Sequence, residues 1–156
     1  MIHHLLHHTS GWPDYLNLLE SEGLREADYV DDFEVMALLE KQTALEFSPG
    51  ERYVYSNTGY YLLGVIISRI SGLSLADYAH KHLFNPLGMT NTWFQDDHTR
   101  IVPRRATGYS LHDDGRLHTD VTTLDIVGDG ALLTCVDDLV LWDRNFYDNQ
   151  LGNGSL

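Results

Sequence analysis

Tyr55-Ser56-Asn57 places a phenol and a carboxamide two residues apart, directly after a Ser48-Pro49-Gly50-Glu51 turn. A phenol can carry a proton between two heavy atoms, and a carboxamide offers one acceptor oxygen and two donor hydrogens. An isolated tyrosine is a poor base, because a pKa near ~10 leaves roughly one part in a thousand ionised at neutral pH. A neighbouring ammonium is what would improve it. The plainer explanations are packing for Tyr55, at the end of a short extended stretch, and helix capping for Asn57.

Other patterns capable of chemistry are few. His3 with His7, and His4 with His8, stand four apart on a stretch that reads as helical, which is the spacing of metal ligands on one helix face. No cysteine or paired carboxylate is placed to complete such a site. They read as exposed or capping histidines near a chain end, and no metal site is assigned. There is no Gly-x-Ser-x-Gly elbow. Gly128-Asp129-Gly130 lacks the third glycine and the preceding strand of a dinucleotide site, and no phosphate loop or His-Glu-x-x-His helix occurs. No cofactor is expected.

The elements that must position Tyr55 and Asn57 are mainly helical. Ile2 to His8 reads as the end of a helix, broken at Thr9-Ser10-Gly11 and Pro13. A second helix is expected from about Phe33 to Gln42, with Asp31 and Glu34 as a capping box and Val35, Leu38 and Leu39 as its apolar stripe. Arg52 to Tyr55 is expected to be extended. Thr58 to Ser71 carries Leu62, Leu63, Ile66, Ile67 and Ile70 at helical spacing, and Gly72 suits a left-handed helix end. With Val65 widening the stripe, this helix is expected to be largely buried. A further helix runs from a Ser74 cap to Leu83 and stops before Asn85-Pro86-Leu87-Gly88. A small hairpin is expected between Ala106–Ser110 and Arg116–Thr119. Thr134 with Asp137 is expected to cap a last helix that reaches about Tyr147, followed by a polar, Gly-rich tail from Asn149 to Leu156.

The composition bounds the rest. The 156 residues suit one domain, and 43% hydrophobic residues can bury a real core. The longest apolar run, Tyr60 to Ile67, is interrupted by Gly64 and is too short to span a bilayer. With 23 acidic against 10 basic residues the formal charge is −13, which repels phosphate backbones and disfavours nucleic-acid binding. The bias toward aspartate, with only Lys41 and Lys81 as lysines, fits a salt-adapted proteome or an ordinary acidic protein equally well. Cys135 is the single cysteine, so no internal disulfide forms and the compartment is left unassigned.

The segment from Phe47 to Tyr60, Phe-Ser-Pro-Gly-Glu-Arg-Tyr-Val-Tyr-Ser-Asn-Thr-Gly-Tyr, resembles the second-motif region of the serine β-lactamase and penicillin-binding-protein superfamily. The nearest branch is that of class C β-lactamases, DD-peptidases and related esterases. Three more blocks agree in order. His8-Thr9-Ser10-Gly11 resembles the family's His-Thr-Ser-Gly loop, and Asn85 to Thr92 its Pro-Leu-Gly-Met segment. Gly128 to Thr134, with Asp137-Asp138-Leu139, resembles its Gly-rich turn into a helix.

The resemblance implies that Tyr55 moves a proton between a nucleophilic serine and the leaving group. Asn57 is then the residue that hydrogen-bonds the family's lysine and the substrate amide. Ser56 falls in the variable middle place and is not expected to be the nucleophile. Gly128 and Gly130 are carried over as substrate-binding backbone positions. Two further family elements have no match here: no Ser-x-x-Lys occurs anywhere, since Leu38 and Tyr78 stand three before the two lysines, and no third motif of Lys or His with Gly two residues on is found.

The fold implied is the mostly α, minor β helical subdomain of the α+β β-lactamase/transpeptidase-like fold. Residues 1–156 form a single unit, and the sheet subdomain is missing at both ends. On that reading the chain is a fragment of a hydrolase acting on β-lactams, D-Ala-D-Ala peptides or esters, inactive alone. Its oxyanion hole would be incomplete, and its exposed apolar face would favour self-association. A non-catalytic binding module on the same fold is the alternative, and a metal-binding protein using the N-terminal histidines ranks below both.

Overall fold

The computed structural model describes residues 1–24 and 28–152. Its helices are α1 (Ile2–Leu6), α2 (Tyr15–Ser21), α3 (Asp32–Glu40), α4 (Asn57–Ser71), α5 (Leu75–Ala79), α6 (Asn85–Leu87) and α7 (Val136–Arg144). Two small antiparallel pairs join them, β1 (Trp93–Phe94) with β4 (Leu132–Leu133) and β2 (Tyr109–Leu111) with β3 (Leu117–Thr119). The class is the expected one, mostly helical with little strand. No single helix among the described residues is long and apolar enough to cross a membrane.

α4 is the hub. It packs on α1, α2 and α5. Two glycines permit the closest approaches: a Cβ on Gly59 would come 2.7 Å from the Leu5 carbonyl oxygen, and one on Gly64 would come 3.3 Å from that of Val127. The expectation of a largely buried helix is corrected. Thr58, Gly59, Tyr61 and Gly64 are its buried residues, whereas Leu62, Leu63, Ile66 and Ile67 are half-buried and Ile70 is exposed. The closest packing here is made through small residues and one tyrosine, while Leu62 and Val65 of the stripe pack on the main core from partly buried positions. Gly72 ends the helix at φ +71°, as expected.

The main core gathers Tyr15 and Leu19 of α2, Val35, Leu38 and Leu39 of α3, and Tyr61 of α4, with Val30 and Ile126 from loops. Each such aliphatic side chain contributes about 2 kcal/mol through removal from water. α3 starts at the predicted capping box: the Asp31 carboxylate accepts from Phe33 and Glu34 N–H, and the Glu34 carboxylate accepts from Asp31 N–H. α2 is an unanticipated helix. Its signal was present in Asp14 as an N-cap and in Tyr15 and Leu19 four apart, immediately past the break at Pro13.

The expectations for the helix from Ser74 and for the last helix are also corrected. The helix from Ser74 does not stop before Asn85. It passes through a wide π-type turn, His80–Phe84, into α6, and it ends at Gly88 with φ +74°. The wide turn lets Phe84 bury beside Ala79 and Met89 while Pro86 enters the first turn of α6, where no N–H is needed. Arg52 to Tyr55 joins no sheet ladder among the described residues. The last helix is capped at Cys135 without a side-chain bond and ends at Arg144. The Thr134 hydroxyl is engaged instead with that of Thr92 at 2.8 Å. The pair β1–β4 was not foreseen, since a two-residue ladder leaves no periodicity to read. Of the polar tail, Asn153 to Leu156 lie outside the described residues.

Asp138 knots the C-terminal part. Its buried carboxylate accepts from Asn91 N–H and from the Thr92 hydroxyl, both at 2.7 Å. Burial alone would raise this carboxyl, but these bonds outweigh it and hold the group below the usual range. The Asn85–Thr92 block and the Thr134–Leu139 block, far apart in sequence, thereby meet.

The segment around Asp129 is held differently. Tyr15 donates its hydroxyl to Asp129 Oδ2 at 2.7 Å. Burial raises the Asp129 carboxyl above its ordinary range, against the opposing hydrogen bond from Tyr15. Burial and the facing carboxylate together keep the Tyr15 phenol protonated well beyond the usual tyrosine range.

Two outcomes follow. Gly11→Ala should lower stability by about 1–3 kcal/mol in urea unfolding, because Gly11 sits at φ +78° and an added Cβ meets the Phe47 carbonyl. Asp129→Asn keeps an acceptor for Tyr15. The native chain prefers the protonated carboxyl, so that contribution is full below the unfolded pKa and is lost as pH rises through the elevated one. The variant should gain on the native chain between about pH 4 and neutrality. Urea midpoints at several pH values check this, and a pH-independent difference would refute it.

Candidate functional site

Tyr55 and Asn57 are brought together. The Tyr55 hydroxyl donates to Asn57 Oδ1 at 3.0 Å, and 56% of Tyr55 is exposed, so its phenol is open to a ligand. Asn57 is not the cap of α4. Ser56 holds that place, and Asn57 is the first helical residue. Its backbone N–H and its Nδ2 each donate to Asp14 Oδ2 at 2.8 Å. The orphan N–H of the first turn is therefore satisfied from a different element, and the side chain is left to face Tyr55.

Asp14 owes its position to α2, which it caps through Oδ1, accepting from Leu16 N–H at 2.9 Å. The next residue completes the joint. Tyr15 N–H donates to Thr58 Oγ1 at 2.9 Å, and the Thr58 hydroxyl donates to the Pro13 carbonyl at 2.6 Å. Pro13-Asp14-Tyr15 thus grips Asn57-Thr58 through one carboxylate and one hydroxyl.

His8 supports Tyr55 from the other side. Its ring lies 4.5 Å from the Tyr55 ring, centroid to centroid, with an interplanar angle of 31°. Ser56 N–H donates to His8 Nδ1 at 3.3 Å, and Val54 N–H donates to the His8 carbonyl at 3.0 Å. α1 ends at Leu6 and His8 stands at φ +53°, so His4 and His8 do not share a helix face, contrary to the sequence expectation. His4 Nδ1 lies 2.9 Å from Thr9 Oγ1, while His3 and His7 are exposed.

Ser56 is 4% exposed, and its Oγ has no hydrogen-bond partner among the described residues. A hydroxyl so enclosed cannot reach a substrate carbonyl. The Gly-rich segment lies beside the same helix. Gly128 stands at φ +122°, and a Cβ there would come 2.8 Å from the Tyr60 carbonyl oxygen, so its lack of a side chain serves packing on α4. Gly130 is exposed, with nothing within 4 Å of an added Cβ. Its backbone is the accessible one of the two. The segment connects to Asn57 through Asp129, Tyr15 and Asp14.

The assembled groups can hold and pass one proton at Tyr55 and can offer Asn57 as a polar contact. Among the described residues no lysine or arginine makes a hydrogen bond or ion pair to either. A cavity of about 610 Å³ lies along the C-terminal half of α4, lined by Asp32, Asp96, Asp125 and Arg69 among others. None of Tyr55, Asn57, Gly128 or Gly130 lines it. Asp14 and the Tyr15–Asp129 pair were missed in the sequence, and His8 was marked there only as part of the His-Thr-Ser-Gly block, not as a support for Tyr55. Of the missed residues Asp14 carried a signal, as a cap residue following proline.

The Beta-lactamase family model matches residues 1–156. Penicillin-binding protein 4* of Bacillus subtilis is 34% identical over 162 residues, covering 95% of this chain and 36% of that protein. The penicillin binding protein from Bacillus halodurans superposes with a TM-score of 0.80 at 26% identity, over 97% of this chain and 47% of that one. The octameric penicillin-binding protein homologue from Pyrococcus abyssi gives 0.72 at 33% identity, over 94% and 34%. The chain therefore spans about a third to a half of the length of these relatives. With the family model matched over residues 1–156 and the helical fold shared with these structures, the chain belongs to the beta-lactamase family.

Proposed function

We propose that this chain supplies the Tyr-x-Asn arm of a serine hydrolase site that works through an acyl-serine intermediate on β-lactams, D-Ala-D-Ala peptides or esters. The observation that carries this reading is the hydrogen bond from the exposed Tyr55 hydroxyl to Asn57 at the start of α4. In that role Tyr55 accepts the serine proton and returns it to the leaving group. Asn57 holds the substrate amide, and the open backbone at Gly130 lines the approach. The serine and its lysine are not among the 156 residues, which contain no Ser-x-x-Lys. The chain alone is therefore read as a catalytically empty partial unit. The contacts that Tyr55, Asn57 and Asp14 make with one another, formed without a nucleophile, favour a second reading as a non-catalytic binding module.

Intact mass after incubation with a reactive penicillin, and separately with a fluorophosphonate, tests the first reading. No adduct is expected on the folded chain alone. A polypeptide carrying Ser-x-x-Lys, added to it, should become acylated about 10²–10⁴-fold faster than without it, and Tyr55→Phe should abolish that gain. An adduct on the chain itself would reveal an unrecognised nucleophile. Unaided acylation of the added polypeptide, indifferent to Tyr55, would favour the binding module.

Self-association belongs to the same reading. Val136 and Val140 stand four apart on α7 and are 76% and 53% exposed, with Phe146 and Tyr147 exposed just beyond. The relative from Pyrococcus abyssi is described as octameric. Light scattering should show a dimer or larger species that Val136→Asp with Val140→Asp returns to monomer. A native monomer would refute the assembly, and an assembly indifferent to the double variant would place it elsewhere.

A further inference from the structure

The Asn57 carboxamide has two possible orientations, and its neighbours are not equal in deciding between them. An ionised carboxylate only accepts hydrogen bonds, whereas a phenol hydroxyl can donate or accept. Asp14 Oδ2 receives both the backbone N–H and Nδ2 of Asn57 at 2.8 Å. Reversing the carboxamide would set Oδ1 against that carboxylate. Tyr55 could adapt to either orientation by turning its hydroxyl, so it does not choose. Asp14 itself cannot swing away, because its other oxygen caps α2 through Leu16 N–H.

We infer that Asp14 is a positioning residue for the Tyr-x-Asn element: it fixes which way the Asn57 carboxamide faces, and through it where the Tyr55 hydroxyl proton points. With Oδ1 turned to Tyr55, the phenol donates its proton inward to Asn57. The lone pairs of the phenol oxygen are then left toward the open side, where they can accept a hydrogen bond from an incoming hydroxyl. The second Nδ2 hydrogen, which no described residue uses, is left for a carbonyl of the bound ligand. Asp14 touches neither ligand nor reacting atoms. It acts through Asn57 and, at one further remove, through Tyr55.

The meaning of this arrangement for catalysis rests on the hydrolase reading proposed above, but the arrangement itself is tested without catalysis. Failure of one therefore does not disguise failure of the other. Asp14→Asn retains a side-chain oxygen for Leu16 N–H, so α2 stays capped. It also sets an amide NH₂ against the two Asn57 donors. In ¹H–¹⁵N spectra of the 156-residue chain, one Asn57 Nδ2 proton should lie well downfield of its geminal partner. Asp14→Asn should collapse that separation and shift the Tyr55 ring signals, with the Leu16 amide and the Tyr15 signals unchanged. Asp14→Ser, which caps but is too short to reach Asn57, should do the same and serves if the first variant does not fold. Asn57 signals that keep their separation in a folded variant would overturn the inference. So would native Asn57 Nδ2 protons with the shifts of a free carboxamide, a result that needs no variant.

Discussion

Thr58 has no solvent exposure, and its hydroxyl both accepts from Tyr15 and donates to Pro13. This one side chain locks the start of α2 onto the start of α4, and the rest of the described arrangement depends on that joint. A buried hydroxyl is costly when its functions go unmet, and those of Thr58 are met by backbone groups of a single neighbouring segment. The segment is thereby fixed in register against α4, which sets Asp14 Oδ2 against Asn57 and the Tyr15 hydroxyl against Asp129. Helix termini ordinarily satisfy their first N–H groups with a local cap. α4 uses a carboxylate from 43 residues earlier instead, which couples its N-terminus to tertiary structure.

The acidic residues divide by what they accept. Asp14, Asp31 and Asp138 receive backbone N–H groups, and those bonds repay the desolvation of a carboxylate at an element boundary. Asp129 differs in balance. It is half-buried with a tyrosine hydroxyl as its side-chain donor, and desolvation outweighs its hydrogen bonds, so its carboxyl is raised where those of Asp31 and Asp138 are lowered. The negative charge of this chain is therefore not merely a solvated coat. Part of it is structural, placed at the starts of α2 and α3 and in the knot around Asp138.

The family blocks acquire separate physical meanings in three dimensions. His8-Thr9-Ser10-Gly11 is a support for the second motif, with His8 stacked beside Tyr55 and Gly11 pressed on Phe47. The Asn85–Thr92 block and the helix after the Gly-rich turn are two halves of one knot around Asp138. Gly128 admits the close pass over α4. The first of these blocks supports Tyr55 directly, whereas the knot around Asp138 holds the C-terminal part together.

Local information was legible wherever it acts within a few residues. The capping box of α3, the left-handed Gly72, the β2–β3 hairpin and the motif of Tyr55 and Asn57 could be read because a cap, a turn or a motif is defined by near neighbours. Periodicity also marked α4 as a helix, but it could not say which of its faces would be covered. The aliphatic stripe was read as core, whereas the close contacts came from glycines and Thr58. Caps at Asn57 and Thr134 were misread because each side chain found a better partner at long range, Asp14 for one and Thr92 for the other. The chain's composition and motifs thus specified its class, its helices and its chemical groups. Which groups meet, which way the Asn57 carboxamide faces, and which acids are buried were decided by packing, since a hydrogen bond across 43 residues leaves no trace in local spacing.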